Sequence, residues 1–573
     1  MSNAVDARIC NIAAHLPKMA RLQPDTLAVV LPTGLDAQGK RTYSRQTYAE
    51  LDRQSDVIAA GLVKAGLKRG MRTVLMVKPG PDFFALTFAL FKAGIVPVLI
   101  DPGLGIAQLK TCLAQAEPEA FIGIPAAHAA RVVLGLGRKT IHICITVGGR
   151  WFWGGTTLAK VVALAEAQVE AHMGTTGSVG PVLEATTADE TAAILFTSGS
   201  TGIAKGVRYS HGNFAAQVEL IRETYNIQPG EIDLPTFPLF ALFDPALGMT
   251  TIVPDMDFTR PAKVDPMKIK HAIDDWGVTN VFASPALLAT VSRHAVAPAG
   301  ANNVQWPTVK RILTAGAPVP AATLERMHQM LSPDAQIFTP YGATEALPVA
   351  TIGSREILAD TRARTEAGAG VCVGRVVAPN DVRIIAITDE PISDWAQVRE
   401  LPVGEVGEIT VAGPTVTTMY IGRPEATTAA KINRDGLIVH RMGDVGYFDA
   451  AGRLWFCGRK SHRVELRGVT LYSAPVEEVF NTHMAVFRTA LVGATVGGTR
   501  VGVLCVELDP ETSRKHALSE HELFDQLKSL GAKFAHTKGI AHFLIHPGFP
   551  VDIRHNAKIG REKLAVWAQA RLA

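Results

Sequence analysis

The chain has 573 residues, 47% of them hydrophobic, with 57 basic against 53 acidic side chains and a formal net charge of +4. That length allows several packed cores, about four units of ordinary domain size, and the interspersed charges leave no broad basic face for nucleic acid. Cys10, Cys112, Cys144, Cys372, Cys457 and Cys505 form no CxxC pair and meet no histidine cluster at ligand spacing, which argues against a disulfide framework and a structural zinc site.

The N-terminus, MSNAVDARICNIAAHL, lacks the charged start, apolar run and small-residue cleavage site of a signal peptide, so a cytoplasmic protein is expected. Helical periodicity over Tyr48–Ala65 precedes a β-rich run at Thr73–Val77. The apolar stretch Phe83–Ile100 is long enough to suggest a membrane span, but Lys92, Gly94 and Pro97 interrupt it. It reads as a buried helix to Gly94, a glycine turn and a buried strand over Pro97–Ile100. GTTGSVG at 174 to 180 has no lysine and no preceding strand, and reads as a linker.

A strand signal at Ala192–Phe196 then runs into TSGSTGIAKG, with an amphipathic stretch beginning near Asn213. Glycines here let successive backbone N–H groups converge on an anion, hydroxyls add donors and Lys205 supplies a point charge. A triphosphate is the implied ligand. The pattern is not Walker A, because Ala204 and Gly206 stand where that motif needs glycine and Ser or Thr. In isolation such a stretch is also what a flexible linker looks like. Further on, a helix over Met267–Trp276 and a strand over Val278–Ala283 continue an alternation that predicts α/β layers with largely parallel sheets. From Val371 to Phe456 short strands with Gly and Pro predict a β-rich unit, with a hairpin around Gly452. A domain boundary is expected near 458 to 462, and the chain closes on a helical EKLAVWAQARL.

YGATE at 341 to 345, MGDVGYF at 442 to 448, GRKSHRVELRG at 458 to 468 and NAKIGR at 556 to 561 follow the glycine loop in order. With RTYSRQTYAEL near residue 41 and FKAGIVPVLID near 91, this set resembles the adenylate-forming superfamily of acyl-CoA synthetases, luciferases and nonribosomal adenylation domains. The resemblance implies an α/β fold: a large N-terminal domain, 1–460, of α/β sheet lobes plus a β-rich subdomain, and a small mobile α+β C-terminal domain, 461–573. It implies ATP and Mg²⁺. The pyrophosphate side falls to Thr197, Ser198, Gly199, Ser200, Thr201, Gly202 and Lys205. Adenine falls to Tyr341, Gly342 and the loop Gly316, Ala317, Pro318, the ribose to Asp444 and Arg459, the α-phosphate to Thr344 and Lys558, and the metal to Glu345.

Departures from the superfamily pattern are as informative. Ala204 replaces a usual proline and Ser461 a usual charged hinge residue, while Gly468 and Glu477 are kept. Thr470 and Pro475 stand at often basic and often acidic positions near the thiol acceptor of CoA-forming relatives, which puts a CoA half-reaction in doubt. TFPLFALFDPALG at 236 to 248, YGATEALPVA at 341 to 350, HRMGDVGYFDAAGRLWFCGRK at 440 to 460 and FPVDIRHNAKIGREKLAVWA at 549 to 568 resemble the olefin β-lactone synthetase branch. That branch implies a long-chain 2-alkyl-3-hydroxy fatty acid as substrate, intramolecular attack by its 3-hydroxyl, and assembly with other olefin-biosynthesis enzymes. Phe237, Leu239, Phe240, Leu242, Phe243, Phe282 and Leu287 are candidates for the acyl pocket or for ordinary core. His440 and His462 stand near motifs, and no base for the hydroxyl is assigned.

Overall fold

A computed structural model describes residues 9–100, 104–172, 182–197, 204–295, 304–509, 518–551 and 559–572. Among these, fourteen strands form one sheet and eight a second. The middle of the large sheet is parallel, in the order Gln336–Ala343, Arg311–Thr314, Asn280–Ala283, Ile232–Pro235, Thr250–Ile252 and Leu27–Leu35, and Arg41–Thr47 closes one end antiparallel. The smaller sheet runs Tyr420–Ile421, Lys205–Ser210, Thr191–Thr197, Val96–Leu99, Arg72–Met76, Ala120–Gly123, Ile143–Thr146 and Thr156–Thr157.

The expected β-rich run is present, and it is joined to the large sheet. Val371–Val376 pairs on one side with Ala346–Gly353 and on the other with Leu454–Arg459, so the expected hairpin around Gly452 extends the large sheet. Strands of this kind leave their edges unpaired unless another strand covers them, and the parallel core offers that cover.

Local signals explain the helices. Thr47 and Glu50 make a capping box for Tyr48–Lys64, and Ser210 with Asn213 does the same for His211–Tyr225. Gly61 lets the first of these helices lie against Leu158–His172, since a Cβ there would sit 2.2 Å from the Val161 carbonyl oxygen. The membrane-like stretch is a buried helix, Pro81–Lys92, a turn at Gly94 with φ +63°, and a buried strand, Val96–Leu99. Lys92 is buried because its ammonium meets Asp52 at 2.6 Å and Asp56 at 2.7 Å. Among the described residues no helix is long and apolar enough to cross a membrane. The linker expected at 174 to 180 lies outside them.

After the 3₁₀ turn Lys460–His462 the chain builds a smaller α+β assembly. Val486–Val496, Thr499–Leu508 and His542–Ile545 form its sheet, with helices Ser473–Phe480, Glu520–Gly531 and Arg561–Leu572. Arg561 forks onto Glu477 at 2.6 Å and ties the last helix to the first.

Candidate active site

Parallel strands aim the site. Ligands in open α/β sheets collect beyond the carboxyl ends of the strands, and from those ends leave the segments starting at Thr236, Ser284, Ala315 and Thr344. They enclose a connected cleft of 2880 Å³ that also takes lining from the smaller sheet and from the C-terminal assembly.

Lys205, Gly316, Ala317, Pro318, Tyr341, Gly342, Thr344, Glu345, Asp444 and Arg459 all line this cleft, although they are far apart in the chain. The side chain of Thr197, residues Ser198 to Gly202, and Lys558 lie outside the described residues. Thr197 pairs with Lys205 in an antiparallel hairpin, so the glycine-rich segment joins two strands. The expectation ran straight from loop to helix and missed the strand Lys205–Ser210. KGVRYS carries little strand signal of its own; pairing on both sides, with Thr191–Thr197 and Tyr420–Ile421, makes it a strand.

Asp444 and Arg459 face one another in register across the hairpin. Arg459 Nε lies 3.1 Å from Asp444 Oδ1, and Tyr341 Oη donates to Oδ2 at 2.7 Å. The carboxylate holds the Arg459 pKa up, whereas burial, then the same charge, raises the Tyr341 phenol well above its usual range. At the loop lining the other side, Gly316 adopts φ +101°, a conformation that favours glycine.

Thr344 and Glu345 form the turn between Gln336–Ala343 and Ala346–Gly353, and neighbours pin it from three sides. Tyr209 Oη donates to the Thr344 carbonyl, Thr417 N to the Glu345 carbonyl at 2.9 Å, and Gln217 Nε2 to that of Leu347 at 3.1 Å. Tyr420 Oη donates to Glu345 Oε1 at 2.6 Å, and Lys205 Nζ sits 4.9 Å over the Tyr420 ring. Sequence reasoning missed Tyr420, whose only signal was a tyrosine ahead of the turn IGRP.

Behind the turn lies a buried lysine that also gave no signal. Lys431 donates to the Thr417 carbonyl, and burial pushes its pKa down to about 7 against the pull of Glu345. Its register partner His440 is buried, and burial, then the Lys431 charge, hold its pKa well below the ordinary value. His440 Nδ1 lies 3.1 Å from the Ala430 carbonyl oxygen, so it carries the proton and Nε2 does not in the neutral ring. Burial likewise takes His462 down to about 4. Both histidines are neutral at pH 7 and both line the cleft.

The apolar end of the cleft takes Phe237, Leu239, Phe240, Leu242, Phe243 and Phe282. Leu287 is fully buried in the core of the large sheet instead.

The family model for AMP-binding enzymes matches residues 16–421. Over 572 residues, 99% of both chains, the sequence is 55% identical to an olefin beta-lactone synthetase of Stenotrophomonas maltophilia. It is 54% identical over 566 residues, 98% of both chains, to another from Xanthomonas campestris pv. campestris. A feruloyl-CoA synthase of Amycolatopsis sp. is 28% identical over 454 residues, 78% of this chain and 80% of its own. Among solved structures, the amide bond synthetase McbA from Marinactinospora thermotolerans superposes with a TM-score of 0.76 at 21% identity, covering 97% of this chain and 99% of its own. ATP-bound MatB from Rhodopseudomonas palustris gives 0.76 at 20%, covering 99% and 100%. These structural likenesses establish a shared fold.

Proposed function

The chain belongs to the AMP-binding enzyme family, and from that premise we propose that it is an ATP-dependent, AMP-forming ligase that converts a long-chain 2-alkyl-3-hydroxy fatty acid to a β-lactone on the way to long-chain olefins. The single observation that carries this reading is 55% identity over 99% of both chains to a β-lactone synthetase.

In the first step a carboxylate oxygen attacks the α-phosphorus of ATP and pyrophosphate leaves, giving an acyl-adenylate. Positioning and charge stabilisation supply most of the catalysis in such a transfer. Lys205 and the segment from Thr197 to Gly202 take the pyrophosphate side, Thr344 and Lys558 the α-phosphate. The ribose diol replaces the Tyr341 hydroxyl on Asp444 while Arg459 holds the carboxylate in place. Tyr341, so released, lies with Gly342 and Gly316–Pro318 around adenine.

Glu345 would hold Mg²⁺. It is a lone carboxylate, oriented by Tyr420, and no cluster of three acidic, His or Cys ligands occurs among the described residues. Mg²⁺ is commonly bound in that way, by one or two carboxylates with substrate phosphates and water completing the shell. When bound it would offset charge on the phosphates.

In the second step the 3-hydroxyl oxygen attacks the activated carbonyl carbon, its proton passes to solvent or to a base, and AMP leaves with the electron pair of the broken bond. A four-membered lactone results. No thiol is needed, in keeping with Thr470 and Pro475 at positions that differ from CoA-forming relatives. Enclosure matters because water competes for the same carbonyl. The segment 461–573 is the mobile lid that carries Lys558. We assign the reaction to the cytoplasm, in assembly with other enzymes of olefin biosynthesis.

Incubation with ATP, Mg²⁺ and a 3-hydroxy fatty acid, with and without CoA, tests the reading. Lactone and AMP without CoA are expected. A thioester formed only with CoA would make the enzyme an acyl-CoA ligase, and absence of AMP under every condition would remove the enzymatic reading altogether.

A further inference from the structure

We propose that the apolar end of the cleft is forked, with one arm for each hydrocarbon chain of a 2-alkyl-3-hydroxy acid, and that the segment from Phe237 to Phe243 is the partition. This rests on the substrate class proposed above.

The partition's rings point into two different walls. Phe240 stacks on Phe282 at 3.7 Å with the planes 13° apart, and Phe237 meets the same ring at 6.5 Å. Phe243 turns the other way and meets Phe214 edge-on at 6.2 Å; Phe214 in turn meets Phe91 at 6.0 Å. Phe240 and Phe243 touch one another at 5.8 Å, so the partition is continuous.

Each arm has its own walls. On the Phe243 side the cleft is lined by Val218 and Ile221 of the helix His211–Tyr225, by Ile12, and by Phe88 and Phe91, 2% and 6% exposed. In the proposed fork these buried rings close the arm, which makes it the blind one. On the Phe240 side it runs between Ala286 and Ala289 of the helix Pro285–Ala295 and the segment Phe258–Ala262, held there by Thr290 Oγ1 donating to the Ala262 carbonyl at 3.0 Å. Arg260 and Arg293, both exposed, also line the cleft, and in the proposed fork they mark the open arm.

An unbranched acid can fill one arm only and leaves apolar surface of the other uncovered, whereas an acid alkylated at C2 fills both. A blind arm imposes a sharp length limit, because an added methylene must displace packed rings. An open arm lets a longer chain run out toward solvent.

The test uses synthetic 2-alkyl-3-hydroxy acids lengthened on one branch at a time, with kcat/KM for ATP-dependent pyrophosphate release as the readout. The unaltered enzyme should show a steep limit on one branch and a shallow one on the other. Ala289→Trp, which narrows the open arm, should lower kcat/KM by about tenfold for acids long on the tolerant branch and leave acids long only on the strict branch within about twofold. Phe214→Ala, which deepens the blind arm, should extend the strict limit by roughly two carbons and leave the tolerant branch unchanged. An acid short on both branches reports folding and chemistry in every variant. Should either variant lose that activity, Ala289→Phe and Phe214→Leu replace them. Equal limits on the two branches, or variants that shift both branches together, would overturn the fork. Failure of the unaltered enzyme to release pyrophosphate with any 3-hydroxy acid would instead remove the substrate class, and the fork with it.

Discussion

Asp444 holds two partners, Tyr341 on one oxygen and Arg459 on the other. Asp444→Asn keeps the shape but loses the charge that a ribose diol and a guanidinium both address. The cost of about 1.5–3 kcal/mol for a charged hydrogen bond corresponds to ATP binding weaker by about 10- to 100-fold, readable by calorimetry. An unchanged affinity would remove the ribose role. Asp444 was legible from GD in a motif; Tyr420 and Lys431 were not, because only burial and contact with the Glu345 turn distinguish them from other Tyr and Lys residues.

A second pair of residues makes a pH prediction. Asp233 and Asp244 are 3% and 1% exposed beneath the acyl wall, and Thr251 Oγ1 donates to Asp244 Oδ2 at 2.9 Å. Burial raises both carboxyls, Asp233 to about 7, and the charge of Asp233 raises Asp244 further. An unfolded Asp titrates near 3.9, so the fold favours the protonated form. The pair's stabilising contribution is therefore full below about pH 4 and is lost as pH rises through about 7. Asp244→Asn should flatten the fall of melting temperature between about pH 5 and 8. The same fall in both proteins would show that the pair does not titrate in this way.

At the scale of the element, the strand Val371–Val376 is the seam between the YGATE hairpin and the Asp444–Arg459 hairpin. Its register shifts between Cys372 and Gly374, where Gly374 has φ +85° and a Cβ would sit 2.0 Å from the Thr351 carbonyl oxygen. Gly374→Ala should cost about 2–4 kcal/mol in urea unfolding and weaken nucleotide binding, since the two halves of the site would move apart. Stability within experimental error of the unaltered protein would show that the seam yields. Helices over Tyr48–Lys64 and Pro266–Trp276 were legible to within a residue because caps and apolar periodicity act locally. The strand Lys205–Ser210 and the joining of the β-rich run to the parallel sheet were not, because both depend on partners distant in sequence.

For the whole molecule, the C-terminal assembly supplies lining to the cleft through residues such as Glu477 and Arg561. Lys558 is three residues before Arg561 in sequence. Lys558→Ala should slow pyrophosphate release by about 100-fold or more while ATP binding stays within a few-fold, because a point charge acting mainly on the transferring group serves the transition state more than the ground state. Pyrophosphate release at the ordinary rate would sink that role.

By itself the sequence determined the layered α/β class, the ordered motifs of the candidate site, and the family to which they belong. These follow from local periodicity, turn residues and ordered motifs, all of which act within a few residues. The tertiary structure decided which groups meet: Tyr341 with Asp444, Tyr420 with Glu345, and Lys431 behind the turn that presents it. It also decided that Phe240 and Phe243 face opposite walls while Leu287 is core. Those outcomes depend on strand order and burial, and contact between residues far apart in the chain leaves no periodicity to read.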